Sequence, residues 1–194
     1  MDYDVMDVAK FVVNYAAENN KNVTNMKLQK ILYYLQGFSY IVFGEPLFYD
    51  EIEAWPYGPV VRKAYVNFSV FGSREIPCYN NIMEFLFFKR TALDELENYK
   101  DIFNERVKNF LEINLNNLLE YSANELVNST HKDGTPWSNN YVEGLKNTIP
   151  KCDIEKFFKE AVKWGNLKMG FPQMYLLIEN MISVKNLYLK WMKN

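Results

Sequence analysis

The chain has 194 residues, of which 48% are hydrophobic, 16% aromatic and 24% charged, enough to bury one ordinary core without staples and too apolar for wholesale disorder. Its apolar runs are too short and too often interrupted to span a bilayer, and two isolated cysteines, Cys78 and Cys152, beside a single histidine leave a zinc site of standard spacing without ligands. The formal net charge of −2 is unevenly spread: residues 1–60 carry four Lys/Arg against eight Asp/Glu, residues 151–194 eight against four, so the basic end is either an anion-facing surface or a solvated helix face.

The start, MDYDVMDVAK, lacks the basic and then apolar pattern of a secretory leader, so a cytoplasmic protein is expected. From about Asp4 to Asn19 the spacing of Val5, Val8, Ala9, Val12 and Ala16 predicts a helix, with Asp2, Asp4 and Asp7 at the positive end of its dipole. ENNKNVTN breaks the period, and Thr24 or Asn25 can cap a second helix. Its stripe runs Leu28, Ile31, Leu32, Leu35, Ser39 and Val42, with Lys27, Lys30, Tyr34 and Phe38 pointing elsewhere, and Gly44 ends it.

Between Pro46 and Trp55 the period becomes that of a short strand or hairpin. Trp55 before Pro56 is pushed into extended backbone, Pro56 and Gly58 suit a tight turn, and Pro59 suits the first position of a third helix. Trp55 and Tyr57 are expected to pin this elbow onto the second helix, with Glu53 accepting from an amide or a lysine. Val60, Val61, Ala64, Tyr65 and Phe68 form the third helix's inner face up to Phe71-Gly72, and an extended piece near Ile76 would pair with the preceding strand. Ile102, Val107, Phe110, Leu111, Leu115, Leu118 and Leu119 then recur at helical spacing. S-A-N-E at Ser122 is a capping box opening another helix, KDGTPWSNN reads as a loop, and KCDIEKFFKEAVKWGN resumes the helical period as far as Gly165. One closing helix is expected between Lys168 and Asn194.

Catalytic constellations are thin. His131 can be placed with Cys152 and Asp153 as a nucleophile and base, or can simply pack at the helix end beside Thr130. Glu51 and Glu53 would lie about 7 Å apart on one strand face, either as an acid–base pair or as a salt-bridged surface. The glycines make no phosphate loop and no dinucleotide fingerprint, so no cofactor is expected. The best candidate recognition helix, EKFFKEAVK, interrupts its lysines with Glu155 and Glu160, which argues against nucleic acid as the partner. The abundance of Tyr and Phe suits a core and, where exposed, a protein interface.

Thr24 to Tyr40 (TNMKLQKILYYLQGFSY), Gly44 to Val61 (GEPLFYDEIEAWPYGPVV) and Ser122 to Trp137 (SANELVNSTHKDGTPW) occur in that order. Together they resemble the Panacea or SocA-like antitoxin domain, a phage-associated family. The resemblance runs from about Asp4 to Phe158, is weakest between Asn80 and Glu105, and does not extend past Lys159. It implies a mainly α domain over residues 1–160, with a longer variable helical section near 80–105; the chain's own periodicity adds a small β-hairpin or strand pair between the second and third helices and makes residues 161–194 a C-terminal helical extension packed on the domain. The resemblance implies a non-enzymatic antitoxin that neutralises a toxin encoded nearby by direct binding, in some members as an adaptor to a AAA+ protease. A homodimer is compatible with it, membrane attachment is not expected, and a DNA-binding regulator or a phage anti-defence protein is the alternative.

The matched motif residues are Leu28, Gln29, Lys30, Tyr33, Gln36 and Gly37 in the second helix, then Glu53, Ala54, Trp55, Tyr57, Gly58, Pro59 and Val60 in the elbow, with His131 and Trp137 further on. Most of these are expected to serve the fold. Exposed positions of the second helix and the elbow, Lys30, Tyr34, Arg62 and Lys63, are the expected partner contacts.

Overall fold

A computed structural model describes residue 1, residues 3–78 and residues 99–163. The expected stop at Gly165, the closing helix and the MEFLFF stretch lie outside the described residues.

The aspartate-rich start supplies a cap. The Asp4 carboxylate accepts from the Met6 amide at 2.8 Å, and helix α1 runs Val5–Glu18 with Val5, Val8, Ala9, Val12 and Ala16 buried as the spacing predicts. Thr24 Oγ1 accepts from the Lys27 amide at 3.3 Å and opens α2, Asn25–Val42, which Gly44 follows in left-handed backbone at φ +81°. The remaining elements are strands β1 (Glu53–Trp55) and β2 (Gly58–Val60), then α3 (Arg62–Phe68) with a 3₁₀ turn at Ser69–Phe71, α4 (Glu105–Leu118), α5 (Ala123–Thr130), α6 (Pro136–Asn140) and α7 (Lys151–Lys163). The protein is mainly α, with a two-stranded antiparallel sheet between its second and third helices.

Helix α2 is the axis of this arrangement. Helices α1, α3, α4, α5 and α7 and strand β2 all pack on it, and every residue from Lys27 to Ile41 is buried. This corrects the one-stripe reading, in which Lys27, Lys30, Tyr34 and Phe38 faced away from the core. Their polar ends are answered locally, which is what makes the burial tolerable. Lys27 Nζ donates to the Leu119 carbonyl at 2.8 Å, Lys30 Nζ to the Pro59 carbonyl at 2.8 Å, and the Tyr34 hydroxyl bonds Ser129 Oγ.

Helix α7 lies closest. The Phe158 ring sits 5.6 Å from Tyr33, 6.1 Å from Tyr34 and 5.6 Å from Phe38, centroid to centroid, in edge-on contacts. Gly37 makes room for it: a Cβ there would stand 2.3 Å from Phe158 Cε2.

Three expectations about the elbow are corrected. The strand is confined to Glu53–Trp55, because Gln36 takes the backbone groups of the preceding segment. Its Oε1 accepts from Leu47 and Phe48 amides at 2.9 and 3.2 Å, and its Nε2 donates to the Phe48 carbonyl at 3.0 Å. The third helix begins at Arg62 rather than Pro59. Pro59 pairs with Ala54 across the sheet, and the Val61 amide is held by Gln29 Oε1 at 2.9 Å, so the chain turns helical only after that bond. The extended piece at Ile76 pairs with the entry to α2, the Ile76 amide donating to the Val23 carbonyl at 2.8 Å, and not with the preceding strand.

The capping box is as expected: Ser122 Oγ accepts from the Glu125 amide at 3.2 Å while Glu125 Oε2 accepts from the Ser122 amide at 2.8 Å. The presumed loop KDGTPWSNN instead contains α6. Thr135 caps it by accepting from the Ser138 amide at 3.2 Å, and Pro136 occupies the first turn, where its missing N–H costs nothing.

Candidate functional site

The Trp55–Gly58 turn closes over the middle of α2. Gly58 has φ +96°, a conformation L side chains rarely adopt, and a Cβ there would stand 2.7 Å from Lys30 Cε and 2.8 Å from Thr130 Oγ1. Lys30 runs beneath the hairpin to Pro59, and burial draws its ammonium down to about 7. Trp137 Nε1 donates to the Trp55 carbonyl at 2.8 Å, and the Trp55 indole donates to Glu53 Oε2 at 2.7 Å, the acceptor role expected of Glu53 filled by a ring N–H. Lys30 and Trp137 therefore pin the elbow. Tyr57, expected to do so with Trp55, is 72% exposed.

On the outer side of the elbow lies a groove of about 500 Å³. Its ends are the first turns of α2 (Asn25, Met26) and α5 (Ser122, Ala123, Asn124), its floor Gln29 and Lys30, and its apolar wall Trp55, Val60 and Tyr65. The Trp55 and Tyr65 ring centroids are 4.8 Å apart, and Lys146 Nζ sits 4.0 Å from the Trp55 centroid.

The expected partner contacts do not share one surface. Lys30 and Tyr34 are 1% and 2% exposed, against the expectation that they face solvent, because α2 is enclosed on every side. Arg62 is exposed. Lys63 is exposed but tied to the start of α1, with Nζ 2.5 Å from Asp4 Oδ2 and 3.9 Å from Asp50 Oδ1.

The other motif residues hold backbone. Gln29 fixes Val61, Gln36 fixes Leu47 and Phe48, and Leu28, Tyr33 and Ala54 are core.

The catalytic candidates are engaged with other partners. His131 caps α5 and stacks on Trp137, centroids 3.8 Å apart and planes at 3°. Its Nε2 is buried without a hydrogen-bond partner among the described residues, and burial, with Lys30 nearby, lowers its pKa. Cys152 is exposed, with Sγ 3.7 Å from Asp153 Oδ1, and Asp153 accepts from Asn140 Nδ2 at 3.3 Å. Glu51 faces Lys151 at 3.5 Å while Glu53 serves Trp55, so the two carboxylates have separate partners. Among the described residues no His, Cys, Asp and Glu side chains cluster as a metal site would require, and no helix is long and apolar enough to cross a membrane.

Sequence reasoning missed the groove itself. It identified the cap at Ser122, a cap at Thr24 or Asn25 and the aromatics at Trp55 and Tyr65, but nothing in the spacing of distant segments says that two helix starts meet at one hairpin.

The model of the family "Antitoxin SocA-like, Panacea domain" matches residues 28–138, from the middle of α2's first turns to the end of the α5–α6 region that carries His131 and Trp137. The chain is 28% identical over 175 residues to Antitoxin SocA of Caulobacter vibrioides (strain NA1000 / CB15N), covering 87% of each chain. No solved structure matches. The family match takes in the clamp residues of α2, the elbow and the ring stack behind it, and on that ground the chain belongs to the SocA-like antitoxin family with a Panacea domain.

Proposed function

We propose that the protein is an antitoxin that neutralises a cognate toxin by binding it directly, without catalysis. The observation that carries this reading is the family match over residues 28–138, supported by likeness to Antitoxin SocA along nearly the whole chain. The engagement of the catalytic candidates with other partners is consistent with it. His131 spends its ring face on Trp137, and Cys152 lies out on α7 beside Asp153. A fold whose polar side chains mostly clamp its own backbone leaves recognition to surfaces.

The toxin is then a protein encoded nearby, and the interaction belongs in the cytoplasm. Co-expression of the chain with the adjacent gene product should restore growth and yield a complex that survives gel filtration. Restored growth with no complex at micromolar concentrations would dispose of direct neutralisation. Delivery to a AAA+ protease is the variant of this mechanism in which the toxin's half-life falls when the antitoxin is present; blocking leaves the half-life unchanged.

A further inference from the structure

The groove beside the elbow has one charge sign and one apolar wall. Among the described residues Lys30 is the only charged one that lines it, and no carboxylate does. An ammonium offers three donors, yet Lys30 Nζ makes one hydrogen bond, to Pro59, and no ion pair among the described residues. At the groove's ends, the caps at Thr24 and Ser122 satisfy the Lys27 and Glu125 amides. Asn25, Met26, Ala123 and Asn124 occupy first-turn positions, whose N–H groups an α-helix leaves without internal acceptors. Each helix start adds the positive end of a dipole.

Burial without a counter-charge disfavours the ammonium form of Lys30, and two of its donors are left without acceptors among the described residues, which an anion brought by another molecule would satisfy. The apolar side of the same groove is formed by Trp55, Tyr65 and Val60; the Trp55 N–H is already used on Glu53 and its ring packs against Tyr65 and Lys146, so it offers the groove apolar surface and no donor. Tyr57 lines the groove's rim and stands 72% exposed, an aromatic border that a small acid would leave uncovered. A volume of about 500 Å³ accommodates a few side chains of a peptide segment.

We propose that this groove receives a short segment of the toxin that presents a carboxylate beside an apolar or aromatic side chain. The carboxylate meets Lys30 and the first turns of α2 and α5, and the apolar side chain lies on Trp55, Tyr65 and Val60. The assignment rests on the antitoxin reading, since it takes the toxin as occupant. Proximity of a carboxylate would also favour the charged form of Lys30, which burial disfavours in the free protein.

The test is titration calorimetry of the purified full-length chain against its toxin, in wild type and in Lys30→Met, Tyr57→Ala and Ser73→Trp, with Lys108→Ala as a control outside the groove. Lys30→Met keeps volume and removes the buried charge; binding is expected to fall about 30-fold or more, the scale for losing one partner of a buried charge pair. Tyr57→Ala removes an exposed rim ring and should weaken binding about fivefold or more. Ser73 is exposed at the groove's lip, so Ser73→Trp obstructs entry without touching Lys30, and it keeps the test valid if Lys30→Met does not fold. Substituting the toxin's own groove carboxylate, Asp→Asn or Glu→Gln, should reproduce the Lys30→Met loss and add little to it. Wild-type affinity in both Ser73→Trp and Tyr57→Ala, with the wild-type complex intact, would overturn the groove and leave the antitoxin reading standing. Absence of any wild-type complex would overturn both.

Discussion

Replacing Gly37 by alanine opposes two effects of opposite sign. In a helix interior the change should stabilise by about 1 kcal/mol, because glycine is the worse helix former. At this position the new Cβ would meet Phe158 Cε2 at 2.3 Å and Cδ2 and Cζ at 2.4 Å, where unstrained carbon pairs sit about 3.5–4.0 Å apart. The ring cannot simply swing away, since it is fully buried with Tyr33, Tyr34 and Phe38 around it. Overpacking of this kind costs typically about 1–3 kcal/mol, and three clashing ring atoms place it at the upper end, so the net loss is about 1–2 kcal/mol. Urea unfolding at 25 °C should show a lower midpoint with an unchanged slope. For a domain of this size the melting temperature should drop by roughly 3–8 °C. Adding Phe158→Leu relieves the overlap, and the double variant should lose less than the two single losses combined, by about 0.5 kcal/mol or more. A Gly37→Ala protein more stable than wild type would show that propensity wins and that α2 and α7 do not interlock as described.

Lys30 gives a pH-dependent prediction. Its folded value of about 7 lies below the ordinary lysine value of 10.5, so between those limits the unfolded chain binds the extra proton and stability rises as pH increases. Unfolding free energy should climb from pH 7 to about 9.5 by an amount on the order of 3 kcal/mol, and Lys30→Met should flatten that climb in denaturant titrations; a slope unchanged in Lys30→Met would refute the assignment. Gly58→Val should prevent stable folding, because it combines φ +96° with contacts under 3 Å to Lys30 and Thr130; circular dichroism checks this, and a stable Gly58→Val protein that fails to bind would contradict it. Ser122→Ala should cost about 1 kcal/mol by removing the cap of α5, read from its melting temperature.

Local signals survived the passage from sequence to structure, and non-local ones did not. Ser122 was legible as a cap, and Thr24 as one of two candidates with Asn25, because a capping bond spans only three residues; Asp4 was read only as an acid at the positive end of α1, whose stripe was legible because its one buried face follows the helical period. Helix α2 defeated the same reasoning. A helix enclosed on all sides carries no contrast between faces, and its lysines and tyrosines read as surface until Leu119, Pro59 and Ser129 are seen to receive them. The elbow was recognised as conformational, yet its third helix was placed early, since the Gln29–Val61 bond that delays it spans 32 positions. For the site, Lys30 was singled out with the wrong exposure, and the groove required two distant helix starts to be brought to one hairpin.

The central claim is that binding itself is the antitoxin's activity. The measurement that tests it most directly is the affinity of the chain for its toxin across the groove variants, set against growth rescue by the same variants at equal protein levels. Rescue should fall in the order in which affinity falls, with Lys30→Met and Ser73→Trp losing both and Lys108→Ala losing neither. Full rescue by a stable variant that no longer binds its toxin would contradict the account.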